Sequence, residues 1–598
     1  MSMDTTSSIL VVWDSNTENR FSGYITEILD IEGYNWHEVL DLTKRELTAE
    51  VLSAYQVVIL THVDPSREVQ DLLLSYVRDG GSLIALRPPR EMAGELGLGS
   101  SSVYGATRSM VDRYISFSPI CAINSGIDHG PLQFHGRGEQ YIWNGSPNAV
   151  IAYFASVPDY VTEHPAIVMG ALGEGNWAVF AYDLAESTVL FHQGRQEQSS
   201  IGSRPDTDGD YNSRPNELFL GFLDTELGHL PQADLHQDAL VRVMEWMASV
   251  TSPLPRVWYF PGGAPAVAFF NGDSDSMSAR DFWNVIGTAD RYGVPFTTYL
   301  KPEHHELVEP ELERSLSERG HDFGQHPFAG MMPSLEEMRE NFREEMGSFR
   351  DRYGHDPITN RGHSVIWVGW TEQAKYLREN GVRLDTSFSG GRYHRGAYVN
   401  GSGLPVKFMD EDGTLLDIYE QNTMFTDDGW TTAKSFAPAL TIDEGIEYSK
   451  WQADGAIDRF NTVYQPYCHP HATRPAPRSV QRWFEAMLEY CTGRGFHFVS
   501  GTGWVDFNDG RRSIEMTSYS FDEDSMTMEI TLNAGSSVDG ATIALPYVYA
   551  GYAVSGARLD GHPVVVEPRE LEGRNQVLLS TDYKAGESRD WRIQWGSR

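Results

Sequence analysis

Short apolar runs alternate with amphipathic stretches over the first 90 residues. Ser8–Trp13 predicts a buried strand, Arg20–Glu32 a helix, Trp36–Leu42 an extended segment and Leu47–Tyr55 a second helix. Gln56–His62 (QVVILTH) is a further strand. Arg67–Asp79 is a helix stopped by Gly80-Gly81, and Ser82–Leu86 is a strand again. Strands apolar on both faces and separated by helices predict a parallel sheet with helical layers. More strands are expected at Ala149–Ala155, Ala166–Met169 and Trp177–Tyr182, and a closing helix at Asp238–Ser249. These make 1–250 an α/β doubly wound parallel-sheet domain. Residues 190–215, polar and turn-rich, read as a long surface loop.

Ser252-Pro253-Leu254-Pro255 and Pro261-Gly262-Gly263 mark a linker region. Over 256–509 the alternation returns. Strands are expected at Ala266–Phe270, Phe296–Leu300, Asp322–Gln325, Ile358–Arg361 and Phe498–Ser500. Helices are expected at Ala279–Tyr292, Pro310–Arg319, Ser334–Tyr353, Thr371–Asn380 and Pro477–Arg494. About 240 residues of βα units suggest a (β/α) barrel or a partly open one. Over 510–598 the period drops to two, in Ser513–Ser520, Ser525–Asn533, Ala541–Tyr549, Val564–Glu567, Gln576–Ser580 and Trp591–Trp595. This predicts a C-terminal antiparallel β-sandwich.

The length of 598 residues suits such a multidomain chain, and 40% hydrophobic residues suffice for several cores. With 84 Asp+Glu against 47 Lys+Arg the net charge is −37, which disfavours nucleic acid or an anionic membrane as partner. Only 7 of the 47 cations are Lys, so carboxylate hydration dominates the surface. Either adaptation to high salt or an ordinary acidic protein from a GC-rich genome would give this balance. Three cysteines do not make a disulfide scaffold or a Cys-rich zinc site. Neither a basic leader nor an apolar run of about 18 residues is present, so a cytoplasmic location without membrane contact is expected.

The layout of 1–250 is similar to the class I glutamine-amidotransferase-like superfamily. An active member needs a nucleophilic Cys at a strand-to-helix elbow. The corresponding region reads Leu83-Ile84-Ala85-Leu86-Arg87-Pro88-Pro89, so this domain is expected to be non-catalytic.

The middle segment carries the chemistry. Asn271-Gly272-Asp273-Ser274-Asp275 follows an apolar strand, and two carboxylates that stay ionised at such close spacing call for a cation. The plain alternative is an Asp-rich turn capping the next helix. Four more polar clusters stand at expected strand ends: Gly320–Pro327 (GHDFGQHP), Asn360–Ser364 (NRGHS), Gly381–Ser387 (GVRLDTS) and Tyr467–His471 (YCHPH). In order and spacing the five resemble the polysaccharide deacetylase family, the NodB-homology domain, over 266–506. That resemblance implies Asp273 as general base, Asp275 and His326 as metal ligands and His469 as general acid. It further implies Arg361 orienting the base and Asp385 tuning the His or the Arg. The family's second metal His would fall at Gly330, and the usual Arg-x-Pro-Tyr is Arg361-Gly362-His363-Ser364. His363 is the proposed substitute. Loss of the metal, or a donor from His304, His305 or His471, are the alternatives. Two His and one Asp with open positions would suit a divalent metal, Zn²⁺ foremost.

The expected activity is metal-dependent removal of acetyl groups from a poly- or oligosaccharide. Two alternatives stay open: a non-catalytic carbohydrate-binding or assembly protein on a degenerate deacetylase fold, and a hydrolase of a small non-sugar amide. Trp258, Tyr299, Trp367, Trp370, Phe388, Tyr393, Trp430 and Trp504 could stack on sugar faces or simply fill cores. An apolar β-sandwich face could serve a homo-oligomer.

Overall fold

The computed structural model describes residues 8–100, 109–199, 214–249, 251–328, 335–390, 398–427, 440–476 and 479–596. The chain forms two compact units. The first comprises Met1–Leu190, Leu235–Gly263 and Asn508–Arg598, and the second Phe191–Asp234 and Ala264–Phe507.

In the first unit, a nine-stranded sheet is parallel through His37–Asp41, Ile9–Trp13, Val57–Leu60, Ser82–Leu86 and Gly175–Phe180. It continues antiparallel through Tyr160–Leu172, Val150–Val157, Ser109–Phe117 and Leu132–Glu139. The sheet is therefore mixed, and the all-parallel expectation is corrected. The reason is local. Gly173, at φ 64°, and Glu174 are the only residues between Leu172 and Gly175. So short a turn reverses the chain and can join only antiparallel neighbours.

The C-terminal residues form two antiparallel sheets in the same unit. One runs through Ile514–Asp522, Thr527–Ala534, Ser588–Gly596 and Tyr552–Leu559. In the other, Val538–Pro546 pairs with Arg574–Tyr583 on one side and with Arg256–Val257 on the other. Arg256 carries a buried charge into this unit. Its guanidinium meets Glu572 at 2.6 Å and Glu32 at 3.4 Å. The Tyr259 hydroxyl stands between the two carboxyls, 2.5 Å from Glu32 Oε2 and 2.8 Å from Glu572 Oε1, with one proton to give. Arg574 adds ion pairs to Asp238 at 2.8 Å and Glu245 at 3.3 Å.

The second unit holds a nine-stranded sheet of very short strands. Its order is Val406–Met409, Leu415–Glu420, Leu384–Asp385, Thr359–Asn360, Asp322–Gln325, Thr297–Leu300, Asn271–Asp273, Pro466–Tyr467 and Phe425–Thr426. Only the first pair is antiparallel. Helices over Ala279–Tyr292, Pro310–Ser317, Leu335–Tyr353, Glu372–Glu379 and Gln481–Arg494 follow the expected positions within a few residues. Phe270, Phe282, Phe296, Phe323, Trp483 and Phe484 fill the core beneath the strands. Ser278 caps the first of these helices, in a capping box with Asp281, and left-handed Gly293 ends it. Asp273 and Asp275 are therefore not its cap.

Cys121, Cys468 and Cys491 are buried free thiols. Among the described residues no helix is long and apolar enough to cross a membrane.

Candidate functional site

Parallel strands point their carboxyl ends the same way, so residues just past each strand converge. Register fixes which ones. Asp273 pairs with Tyr299, Gln325 with Asn360, Asn360 with Asp385 and Asp385 with Glu420. Gly272 makes one approach possible, because a Cβ there would sit 2.0 Å from the Cys468 carbonyl oxygen. Its lack of a side chain lets the strand carrying Asp273 lie against the one that leads into His469.

Asp273 is buried at the centre. Its carboxylate lies 3.3 Å from His469 Nε2, 3.4 Å from His326 Nε2 and 3.9 Å from Arg361 Nε. Burial pushes this carboxyl up. His326 and His469, where protonated, and Arg361 outweigh that push, so it stays below the usual carboxylate range. Asp275 is 3.3 Å from His363 Nε2, 3.8 Å from His326 Nε2 and 2.5 Å from Lys301 Nζ. Burial again raises its carboxyl, but His363, His326 and Lys301 together hold it well below its ordinary value.

His326 is the most informative residue. Its Nδ1 is 2.6 Å from the Arg361 carbonyl oxygen. A carbonyl only accepts, so Nδ1 carries the proton and the neutral ring presents a bare lone pair at Nε2. Burial lowers this imidazole to about 4, the two carboxylates offsetting only part of the effect, so it is neutral near pH 7. Among the described residues the buried Nε2 has no hydrogen-bond partner. A lone pair thus faces two carboxylates, a set of donors that together would suit a cation.

His363 completes a donor set. Its ring packs 4.5 Å from Phe328 and 5.3 Å from His326. It opens a tight turn in which Ser364 and the β-branched Val365 both have positive φ, 54° and 51°. Such backbone is costly and marks a place where the fold holds a side chain against local preference. The donor atoms of Asp275, His326 and His363 lie within 4.8 Å of one another, as do those of Asp273, Asp275 and His469. The residues present therefore fit a divalent ion.

His469 is held from behind. Asp427 accepts from His469 Nδ1 at 2.8 Å and from its backbone N–H at 2.9 Å. This fixes the tautomer and aims Nε2 at Asp273. Sequence reasoning missed Asp427, which follows Phe425–Thr426 in an unremarkable acidic stretch. Arg361 is buried, with its guanidinium 4.1 Å over the Tyr467 ring and Nη1 donating to Thr386 O at 2.6 Å and Thr423 Oγ1 at 2.8 Å.

Asp385 lies deeper. It accepts from Asn360 Nδ2 at 2.5 Å and from Ser387, and it is hydrogen-bonded to Glu420. Burial raises both of these carboxyls, and their mutual proximity raises Glu420 further. His304 bonds Ser274 Oγ and His305 bonds Gln325, and among the described residues neither joins a donor group. The His471 ring stands 5.0 Å from that of His469. Gly330, Tyr393 and Trp430 lie outside the described residues. Trp258, Tyr299, Trp367, Trp370, Phe388 and Trp504 are core residues, so none of these six presents an open face for a sugar.

No protein-family model matches the chain, and no curated protein matches it. Among solved structures it is similar to a putative polysaccharide deacetylase from Mycobacterium smegmatis, at 16% identity and a TM-score of 0.33, over 41% of this chain and 90% of that one. A probable polysaccharide deacetylase from Pseudomonas aeruginosa PAO1 is similar at 13% identity and a TM-score of 0.32, over 41% and 92%. PuuE allantoinase is similar at 13% identity and a TM-score of 0.31, over 41% and 91%. Likeness this remote carries no chemistry, which rests on the site itself.

Proposed function

We propose that the second unit is a metal-dependent hydrolase that removes acetyl groups from a poly- or oligosaccharide. One observation carries the reading: the bare Nε2 of His326 facing Asp273 and Asp275, with His363 and His469 on the same carboxylates. Asp275, His326 and His363 would hold the ion, and one carboxylate with two imidazoles suits Zn²⁺. When bound, a divalent ion supplies positive charge that polarises the substrate carbonyl.

The chain's own groups perform the proton transfers. Asp273, ionised across neutral pH, accepts the proton of the attacking water. Arg361 keeps that carboxylate oriented. His469 delivers a proton from Nε2 to the leaving amine or alcohol, while Asp427 holds Nδ1–H and stabilises the imidazolium. Asp385, engaged with Asn360 and Glu420, shapes the strand ends around Arg361 rather than transferring a proton. In residues 1–250 we read a non-catalytic amidotransferase-like domain, since Arg87 follows the strand Ser82–Leu86 where a nucleophile would stand.

A second reading is favoured by the six buried aromatics: the substrate would be a small amide rather than a glycan. Phe328, 40% exposed and against His363, is the aromatic such a substrate would meet. Both readings are tested by metal content on protein prepared without added metal, with acetate release from N- and O-acetylated oligosaccharides and hydrolysis of small N-acyl amides measured in parallel. Stoichiometric metal with acetate release supports the first reading, and metal with small-amide hydrolysis alone the second. No metal and no turnover would overturn both and leave a binding protein.

A further inference from the structure

Asp275 already holds a cation, and it is a lysine. Lys301 Nζ lies 2.5 Å from Asp275 Oδ1, with the Lys301 side chain only 13% exposed. The placement is built into the backbone. Lys301 directly follows strand Thr297–Leu300, and its N–H donates to Ser274 Oγ at 2.9 Å. Ser274 stands between the two carboxylates, so the bond ties the lysine to the loop that carries Asp275. That same Asp275 oxygen is 3.8 Å from His326 Nε2, and the other oxygen is 3.3 Å from His363. The ammonium therefore competes for the carboxylate through which the two imidazoles would share an ion.

The choice of residue fits a cation that can leave. Lysine is scarce in this chain, 7 of 47 cations. An arginine here would grip the carboxylate with a two-pronged fork, whereas an ammonium on a four-carbon stem is a single point charge that can turn away. A resting place is adjacent: the Phe328 ring centroid is 5.6 Å from Nζ, within cation–π reach.

We propose that Lys301 is the resident cation of this site and that a divalent metal must displace it from Asp275. The proposal rests on the metal-site reading above. An ammonium and a divalent ion on one carboxylate repel each other strongly, so metal binding breaks the Lys301–Asp275 pair. The pair weakens metal affinity and makes the ion exchangeable rather than permanent.

The test is calorimetric titration of Co²⁺ and Zn²⁺ into metal-stripped full-length protein, with the Co²⁺ absorption spectrum reporting the ligand set. Lys301→Met is expected to bind at least tenfold more tightly than wild type with the same spectrum. Lys301→Gln, which keeps a polar chain, is expected to show the same gain and guards against misfolding of the Met variant. Lys301→Arg should show no gain. If wild type binds metal and neither neutral variant binds it more tightly, the displacement proposal is wrong while the metal site stands. If none of the proteins binds either ion, the metal reading fails and takes this proposal with it.

Discussion

Arg256, Glu32, Tyr259 and Glu572 in the first unit and Asp273, Asp275, His326 and His469 in the second are both buried clusters of ionisable groups, closed in different ways. In the first, the Tyr259 hydroxyl and the Arg256 guanidinium bridge both carboxyls. Burial pushes Glu32 up to about 8, with Arg256 pulling the other way, so it keeps its proton at neutral pH. Glu572 also feels burial, but Arg256 and Arg574 draw it down to about 2. The cluster thus assigns its protons and balances its charges internally. In the second unit the His326 lone pair faces oxygens, with no donor from the described protein. A closed cluster serves the fold, and an open one awaits a ligand or a reaction.

Asp273→Asn should separate the two most widely. Hydrolysis is expected to fall by as much as ~10⁴-fold, the upper range for a general base, with cooperative unfolding retained. Loss of the folded unit instead would make the open cluster structural. Next in size, Arg256→Met should destabilise the first unit by up to about 3–5 kcal/mol, because it breaks a buried ion pair and leaves the Glu572 carboxylate to Arg574 alone. Denaturant unfolding measures this, and a loss below about 1 kcal/mol would mean that the cluster is not closed by its charges. Asp427→Asn should lower kcat roughly 10–100-fold, as removal of an orienting partner does. The acidic limb of the pH–rate profile should move while KM changes little. An unchanged profile would mean that His469 does not transfer the proton.

The smallest effect concerns pH. Glu32 retains its proton in the folded state up to about 8 but loses it near 4.5 when unfolded. The folded state binds more protons in that window, so this group's contribution to stability declines as pH rises through it. Glu32→Gln should flatten the fall of the thermal midpoint between pH 5 and pH 8 by a few degrees. A slope identical to wild type would show that Glu32 does not hold the proton.

Much of the second unit was legible in the chain. The helix Ala279–Tyr292 and the strand Asp322–Gln325 lie where hydrophobic spacing puts them. The five polar clusters end short strands, and three of them, through His326, Arg361 with His363, and His469, converge on the carboxylate pair of the first. Three features were not legible. Asp427 reaches His469 across 42 residues, and such separation leaves no periodic trace. The left-handed turn at Ser364–Val365 contradicts local preference, so propensity points away from it. Half of the N-terminal sheet runs antiparallel because of a Gly-Glu turn in which apolar patterning carries no direction.

By itself the sequence determined which residue types stand at strand ends and the shift from mixed to two-residue periodicity after residue 510. It also determined the acidic, lysine-poor composition. These follow from local spacing and content, which each segment carries alone. Tertiary structure decided strand direction, the bare face of His326, the grip of Asp427 and the lysine on Asp275. Each depends on which atoms from distant segments meet, and at separations near 3 Å a shift of one residue in register would replace every partner.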